Sequence, residues 1–321
     1  MAAGGGTKAI FTAFLANLGI AIAKFIGFLV TGSASMLAEA VHSGADTGNQ
    51  ALLILGNKRA QKTASIEHPF GYGRERYFWA FVVALVLFSL GSLFAIWEGI
   101  DKIRHPHEIE SLGWALGILA FAICLEAYAF RTAVVESNKV RGSHSWPRFI
   151  RRARIPELPV VLLEDLGAMI GLVLAFIAIV TAEVTDNARW DGVGTLAIGI
   201  LLGLIAIVLA IEMKSLLIGE GALPEELDAI TAAISDADQV DHLIHLRTNY
   251  LGPEELLVGA KVAFRRGMST SELADAIDAT ETAIRAQVPI ARIIYLEPDL
   301  YEEDHVGITE AADHSDADDH H

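Results

Sequence analysis

The sequence has very little cysteine: Cys124 is the only one among 321 residues. A single thiol excludes a disulfide framework within the chain and a cysteine-built metal cluster. Basic residues are also scarce, since 24 Lys and Arg face 40 Asp and Glu, and the formal net charge of −16 argues against nucleic-acid binding. The N-terminal segment lacks the pattern of a cleaved signal peptide, so the first apolar run is expected to stay as a membrane span.

Long apolar runs, by contrast, dominate the first two thirds of the chain. Hydrophobic residues make up 53% of the sequence, more than in most soluble domains. A helix needs about 20 mostly apolar residues to cross a bilayer. Runs that approach or exceed this length are Ala9–Val30, Ser33–Leu55, Trp79–Ile100, Leu112–Val134, Leu158–Ala182 and Val193–Met213. Residues 1–213 are therefore predicted to form an α-helical membrane domain of six transmembrane helices.

The positions of Lys and Arg between these runs predict the orientation. The loops of residues 57–78 and 136–157 are rich in both, whereas the loops on the opposite side contain few. Lys and Arg are enriched in cytoplasmic loops. Both termini are thus expected in the cytosol, and the protein is expected to be an integral protein of the inner or plasma membrane.

The second run contains a polar arc that an ordinary membrane span would not have. Glu39, His42, Asp46, Asn49 and Gln50 fall within roughly 100° of one another if each residue advances the helix by about 100°. His42 and Asp46 are one turn apart, so they present an imidazole nitrogen and a carboxylate on one face. This pair suits Zn²⁺ or a similar divalent metal ion.

The fifth run contains two adjacent carboxylates, Glu164 and Asp165. Charged side chains in lipid cost several kcal/mol, so these two must face protein, water or a metal ion. Because neighbouring residues point about 100° apart on a helix, only one of them is expected to lie in line with His42 and Asp46. For Glu126 in the fourth run, a packing or interface role is at least as plausible as a role in transport.

Three segments together resemble the cation diffusion facilitator family of metal/proton antiporters, and the resemblance extends over about residues 8–298. SASMLAEAVHSGAD is similar to the motif of the family's second span, which implies that His42 and Asp46 are metal ligands. SIEHPFGYGRER is similar to the loop that follows, and VLLEDLGAMIG to the fifth span of a branch that includes mitochondrial zinc carriers. The family has six spans, cytosolic termini and a transport site between the second and fifth spans.

The fifth span departs from the usual family pattern. Aligning Asp165 with the family's aspartate puts Val161 where a histidine or aspartate is expected. The resemblance thus implies Asp165 as the third ligand, and Glu164, a water molecule or Asn49 remain as alternatives for the fourth.

Two further sites are implied by the resemblance. His68 matches one ligand of a metal site in the loop, whereas the other positions hold Ser65 and Tyr72; a purely structural turn is the alternative. Arg74 and Glu220 match a charge interlock between the membrane and cytosolic parts of the dimer. For that pair the alternative is two solvated surface charges, which contribute about 0–1 kcal/mol.

The segment of residues 214–300 has the alternating and helical patterns of a small soluble domain. The predicted order is α-β-β-α-β, with a capping box at Ser269 and Glu272. This α+β domain resembles the family's metallochaperone-like cytosolic domain, through which two copies form a homodimer. Residues 301–321 are acidic with several histidines, so a disordered tail that binds metal weakly at most is expected.

The sequence therefore predicts a homodimeric transporter, not an enzyme, that exports a divalent metal from the cytosol in exchange for protons. Zn²⁺ is the preferred substrate, and Mn, Fe, Co and Ni are alternatives. A metal channel or uniporter, a membrane metal sensor and a membrane hydrolase are the competing classes. The concentration of polar residues near one depth disfavours a channel, and the absence of an HExxH helix disfavours a hydrolase.

Overall fold

The computed structural model describes residues 34–106 and 112–301, together with residues 10–11, 14–15, 17–23, 25–26 and 29. Within these ranges, the description excludes the side chains of residues 34–42, 88, 112, 114–115 and 118. The chain divides into two compact units, Met1–Leu217 and Ile218–His321. The predicted tail lies outside the described residues from residue 302 onward.

The long elements that the structure describes in the first unit are helices. Its helices are α1 (Ala34–Ala60), α2 (Glu75–Arg104), α3 (Leu112–Arg141), α4 (Trp146–Arg152), α5 (Glu157–Thr185) and α6 (Arg189–Ile218). The described residues between 10 and 29 are helical too. Among the described residues, α2, α5 and α6 are long and apolar enough to cross a membrane. α1 and α3 lie where the second and fourth spans are predicted, and the count of six spans stays a prediction.

Two features of this unit differ from the sequence-based expectation. α4 occupies part of a segment expected to be a loop; it begins with Pro147 in its first turn, where the missing backbone N–H costs nothing. α2 contains a π-helical segment, Leu87–Leu93, inside the predicted third span. Within it, the Ser92 hydroxyl donates a hydrogen bond to the Gly199 carbonyl of α6 at 2.8 Å.

Helices α2 and α6 approach each other closely at glycines. A Cβ at Gly99 would lie 2.5 Å from the backbone nitrogen of Leu196, and one at Gly199 would lie 2.7 Å from that of Ile96. Neither position has room for a side chain. Small residues bring membrane helices into contact in this way, because they let the two backbones approach closely. Close packing of backbones therefore joins this pair.

The beginning of α5 is enclosed by the rest of the first unit. Every residue from Glu157 to Asp165 is buried, and Val160 and Val161 belong to the main apolar core with Tyr77 of α2. The carboxylates in this stretch therefore face protein groups. The second half of α5 is more exposed, as expected of a helix surface that contacts lipid.

The second unit contains a three-stranded sheet and two helices in the predicted order α-β-β-α-β. Its elements are α7 (Pro224–Ser235), β1 (Val240–Gly252), β2 (Glu255–Phe264), α8 (Thr270–Gln287) and β3 (Ala291–Asp299). The strand order is β1-β2-β3, with β1 antiparallel and β3 parallel to β2. The parallel pair needs a crossover connection, which α8 provides.

Local signals in this unit are mostly read correctly from the sequence. The Ser269 hydroxyl accepts from the Glu272 backbone N–H, and the Ser269 backbone N–H donates to the Glu272 carboxylate, as in a capping box. This backbone hydrogen bond lowers the pKa of Glu272. In α7, Ile230 and Ile234 are fully buried, whereas Leu227 is 39% exposed.

Candidate metal site

α1 places His42 and Asp46 one helical turn apart. The side chain of His42 lies outside the described residues, so its role as a ligand stays a prediction. Asp46 is half-buried, and its carboxylate lies close enough to Glu164 and Asp165 of α5 to repel both electrostatically. The structure thus brings together the three acidic residues predicted for the site, although α1 and α5 are far apart in the sequence.

Glu164 is buried and faces side-chain amides. Asn49 donates to its Oε1 at 2.9 Å, and Gln50 donates to its Oε2 at 3.2 Å. Gln50 in turn accepts a hydrogen bond from Asn17 at 3.2 Å. Asn49, an alternative fourth ligand in the sequence analysis, is therefore bonded to the other alternative, Glu164.

Asp165 is also buried, with 4% of its surface exposed, but its surroundings differ. Its Oδ2 atom has no hydrogen-bond partner in the part of the chain that the structure describes. A buried carboxylate oxygen without a donor is costly unless a cation or a proton satisfies it. Of the two adjacent carboxylates, Asp165 is therefore the one with an oxygen for which no hydrogen-bond donor of the described residues competes with a cation.

Glu126 of α3 adds a further carboxylate to this region. It is half-buried, and its charge acts on both Asp165 and Glu164. The sequence analysis favoured packing or an interface for this residue at least as strongly as transport. The sequence predicts the position of Glu126 poorly, because an isolated acid in an apolar run does not indicate which helix its side chain faces. Its charge adds to the negative potential that attracts cations.

The described side chains do not by themselves complete a metal site. No group of three His, Cys, Asp or Glu side chains within the described ranges converges closely enough to hold a metal ion. The position one turn before Asp165 contributes no donor, because Val161 is 1% exposed and packed in the apolar core. His42, Asp46 and Asp165 remain the predicted ligands, with Glu164 as the predicted fourth.

In the loop before α2, the predicted metal ligand His68 is engaged with its neighbours. Its ring contacts that of Tyr72 edge to face, with 4.6 Å between centroids. The hydroxyls of Ser65 and Tyr72 are 3.1 Å apart, and the His68 backbone N–H donates to Ser65. These contacts are those of an ordered turn, and neutral hydroxyls are poor zinc ligands compared with His, Cys and carboxylates. The arrangement favours the structural alternative.

The predicted pairing of Arg74 with Glu220 stays a prediction, because the two residues belong to different units. The Nε atom of Arg74 is buried without a hydrogen-bond partner among the described residues. The sequence analysis missed a different ion pair nearby: Arg76 and Glu157 form a buried pair between the beginnings of α2 and α5.

Comparison with known proteins identifies the family. A family model described as the cation efflux transmembrane domain matches residues 10–218. The human protein named proton-coupled zinc antiporter SLC30A9, mitochondrial, is 32% identical over 243 residues, which is 75% of this chain and 43% of that protein. The chain thus spans less than half the length of that relative.

Two more distant relatives come from a plant and a bacterium. Metal tolerance protein C4 of Arabidopsis thaliana is 27% identical over 81% of this chain and 58% of its own length. Magnetosome protein MamB of Magnetospira sp. (strain QH-2) is 25% identical over 94% of both chains. Together with the acidic cluster between α1, α3 and α5, these matches lead to one conclusion: the chain belongs to the cation diffusion facilitator family.

Proposed function

We propose that this protein exports a divalent metal ion from the cytosol in exchange for protons, with zinc as the preferred substrate. The observation that supports this most directly is the buried Oδ2 atom of Asp165, which has no hydrogen-bond donor in the described part of the chain. Asp46 lies within electrostatic reach of it, and α1 places His42 one turn from Asp46. These three residues are the proposed ligands.

The preference for zinc follows from the donor types and from the relatives. An imidazole and two carboxylates suit Zn²⁺, but they also bind Mn²⁺, Fe²⁺, Co²⁺ and Ni²⁺. The donor set alone therefore does not determine which metal ion is preferred. The human relative is named a proton-coupled zinc antiporter, and its similarity covers 75% of this chain. This resemblance favours zinc over the other ions.

Proton exchange follows from the chemistry of the ligands. A histidine or carboxylate must lose its proton to bind a metal ion, so metal entry releases protons and proton entry releases metal. Histidine is suited to this exchange because its unperturbed pKa is near 6.5. In the proposed cycle, the site binds metal when it faces the cytosol, and it returns protonated after releasing the metal outside.

The membrane setting of the proposal follows from the charge of the loops. Basic residues cluster in the segments of residues 57–78 and 136–157, which we assign to the cytosolic side. Both termini and the second unit then lie in the cytosol of a cell with this protein in its inner or plasma membrane. We further propose that two copies associate as a homodimer through their cytosolic units.

The test is transport by purified protein in proteoliposomes. With an acidic lumen standing for the outside, external Zn²⁺ should enter, and a proton ionophore that collapses the gradient should stop the uptake. The Asp165→Asn variant is the control for a leak that does not use the site. Mn²⁺, Fe²⁺, Co²⁺ and Ni²⁺, tested in the same way, would show whether zinc is preferred. Zinc uptake that is indifferent to the pH gradient would contradict antiport and indicate a uniporter or channel.

A further inference from the structure

A chain of buried amides ends on Glu164 and connects three helical segments of the first unit. Asn17 belongs to the first helical segment, Asn49 and Gln50 to α1, and Glu164 to α5. All four side chains are at most 7% exposed. Their hydrogen bonds join residues that are 33, 114 and 115 positions apart, so each bond connects two different helices.

The chemistry of the carboxylate determines the direction of every hydrogen bond in this network of four side chains. An ionised glutamate only accepts hydrogen bonds, so Asn49 and Gln50 must both direct their NH₂ groups toward Glu164. The carbonyl oxygen of Gln50 then points the other way, where it accepts from the NH₂ group of Asn17. The network therefore has one consistent arrangement, which ends on the two accepting oxygens of Glu164.

We propose that Glu164 is a positioning residue of the transport site rather than a metal ligand. Each of its oxygens already accepts from an amide, whereas Asp165, the next residue, has a buried oxygen without a donor. Adjacent residues on a helix point about 100° apart, so anchoring Glu164 to α1 aims Asp165 in a different direction. This inference rests on the proposed function, because it assigns a role within the proposed metal site.

The anchor also requires a hydrogen-bond acceptor at both oxygens in this place. Two amide NH₂ groups converge on Glu164 from Asn49 and Gln50. A glutamine at position 164 would offer one acceptor and one donor, so one amide of α1 would meet another NH₂ group. Hydrogen bonds to charged groups are also stronger than those between neutral groups.

The decisive experiment exchanges the carboxylate and the amide between the two helices. Zinc uptake per folded protein is measured in proteoliposomes for Glu164→Gln, for Gln50→Glu and for the double variant. Each single variant should lower uptake about tenfold or more, since each leaves buried polar groups unmatched. In the double variant the carboxylate stands on α1, accepts from Asn17 and from the amide on α5, and leaves an acceptor for Asn49. It should recover most of the wild-type uptake.

A second measurement distinguishes positioning from ligation. Uptake of Zn²⁺ and Mn²⁺ is compared in each variant, because a lost ligand changes the donor set and hence the ranking of metals. A positioning residue should lower both fluxes by a similar factor and leave the ranking unchanged. A changed ranking in Glu164→Gln that the double variant does not restore would overturn the proposal and make Glu164 a ligand.

Thermal unfolding of the purified full-length protein without metal tests the network independently of transport. The unfolding midpoint should fall in both single variants and recover in the double variant, whereas Ser92→Ala, which removes a buried hydrogen bond elsewhere, should add independently to each. If the wild type moves no zinc while these midpoints behave as described, the proposed function fails and the network remains. If the double variant unfolds as readily as the single ones, the network itself is refuted.

Discussion

Arg76 and Glu157 form two hydrogen bonds in a buried ion pair, from Nε to Oε1 at 2.5 Å and from Nη2 to Oε2 at 2.8 Å. The side chains are 7% and 0% exposed. Nearby, the Tyr77 hydroxyl donates to the Arg154 carbonyl at 3.3 Å. The beginnings of α2 and α5 are thus connected in segments that the sequence analysis placed in loops.

Removing one member of this pair should destabilise the protein strongly. Arg76→Met leaves the Glu157 carboxylate buried without its cation, and breaking such a pair typically costs about 3–5 kcal/mol. Thermal or denaturant unfolding of the protein in detergent measures the effect. The double variant Arg76→Met/Glu157→Leu should be closer to the wild type than either single variant. Equal stability of Arg76→Met and the wild type would contradict the importance of the pair.

Removing a predicted ligand should abolish transport without preventing folding. His42→Ala or Asp46→Ala leaves a site with too few donors, so zinc uptake should fall to the level of empty liposomes. Glu98→Gln is the matched control, because Glu98 is an acid of α2 that pairs with Lys102 at 3.4 Å, is 37% exposed and has no role in the proposed site. Near-normal flux in either ligand variant would refute the assignment.

An added imidazole one turn before Asp165 should tighten zinc binding relative to manganese. Val161→His restores the residue type that the resemblance implies at this position, and imidazole favours Zn²⁺ over Mn²⁺. Val160→His is the control, since Val160 is equally buried but points about 100° away. Competition between the two metals in the transport assay gives the selectivity. If both variants show the wild-type selectivity, Val161 does not face the site.

Metal affinity should fall as the pH drops through the titration range of His42. Protons compete with metal for the imidazole, which is half protonated at about pH 6.5 when unperturbed, so affinity should decline as the pH approaches this value and fall further below it. His42→Asp should move the decline to lower pH, because an unperturbed aspartate titrates near pH 3.9. Zinc binding to the purified protein across about pH 5–8 measures both curves. Binding that is flat over this range in the wild type would exclude His42 as a proton carrier.

Two glycine substitutions should have different effects. Gly99→Ala places a Cβ 2.5 Å from the Leu196 backbone nitrogen, so α2 and α6 must separate and stability should fall. Gly117→Ala in α3 has no atom of the described residues within 4 Å of the new Cβ, and alanine is the better helix former, so stability should stay equal or rise by up to about 1 kcal/mol. Unfolding midpoints of the two variants give the comparison. Similar midpoints would show that the packing between α2 and α6 tolerates a side chain.

Much of the fold is predictable from the sequence because its signals are local. A long apolar run, the spacing of Ser269 and Glu272, and the alternation along β2 each act within a few residues, and the structure contains the corresponding elements. The π-helical segment Leu87–Leu93 was not predictable in this way. Nothing in its own residues distinguishes it from a regular helix; its Ser92 contacts a helix more than 100 positions away.

In the candidate site, too, some features follow from the local sequence and others depend on contacts between distant helices. The sequence by itself determined that His42 and Asp46 share a helix face and that Glu164 and Asp165 diverge, because helix geometry relates neighbouring residues directly. Only the tertiary structure decided that Asn49 and Gln50 bond Glu164, that Asp165 keeps an oxygen without a donor, and that Arg76 pairs with Glu157. The physical reason is that these contacts depend on how separate helices rotate and pack, and many packings are compatible with the same local pattern.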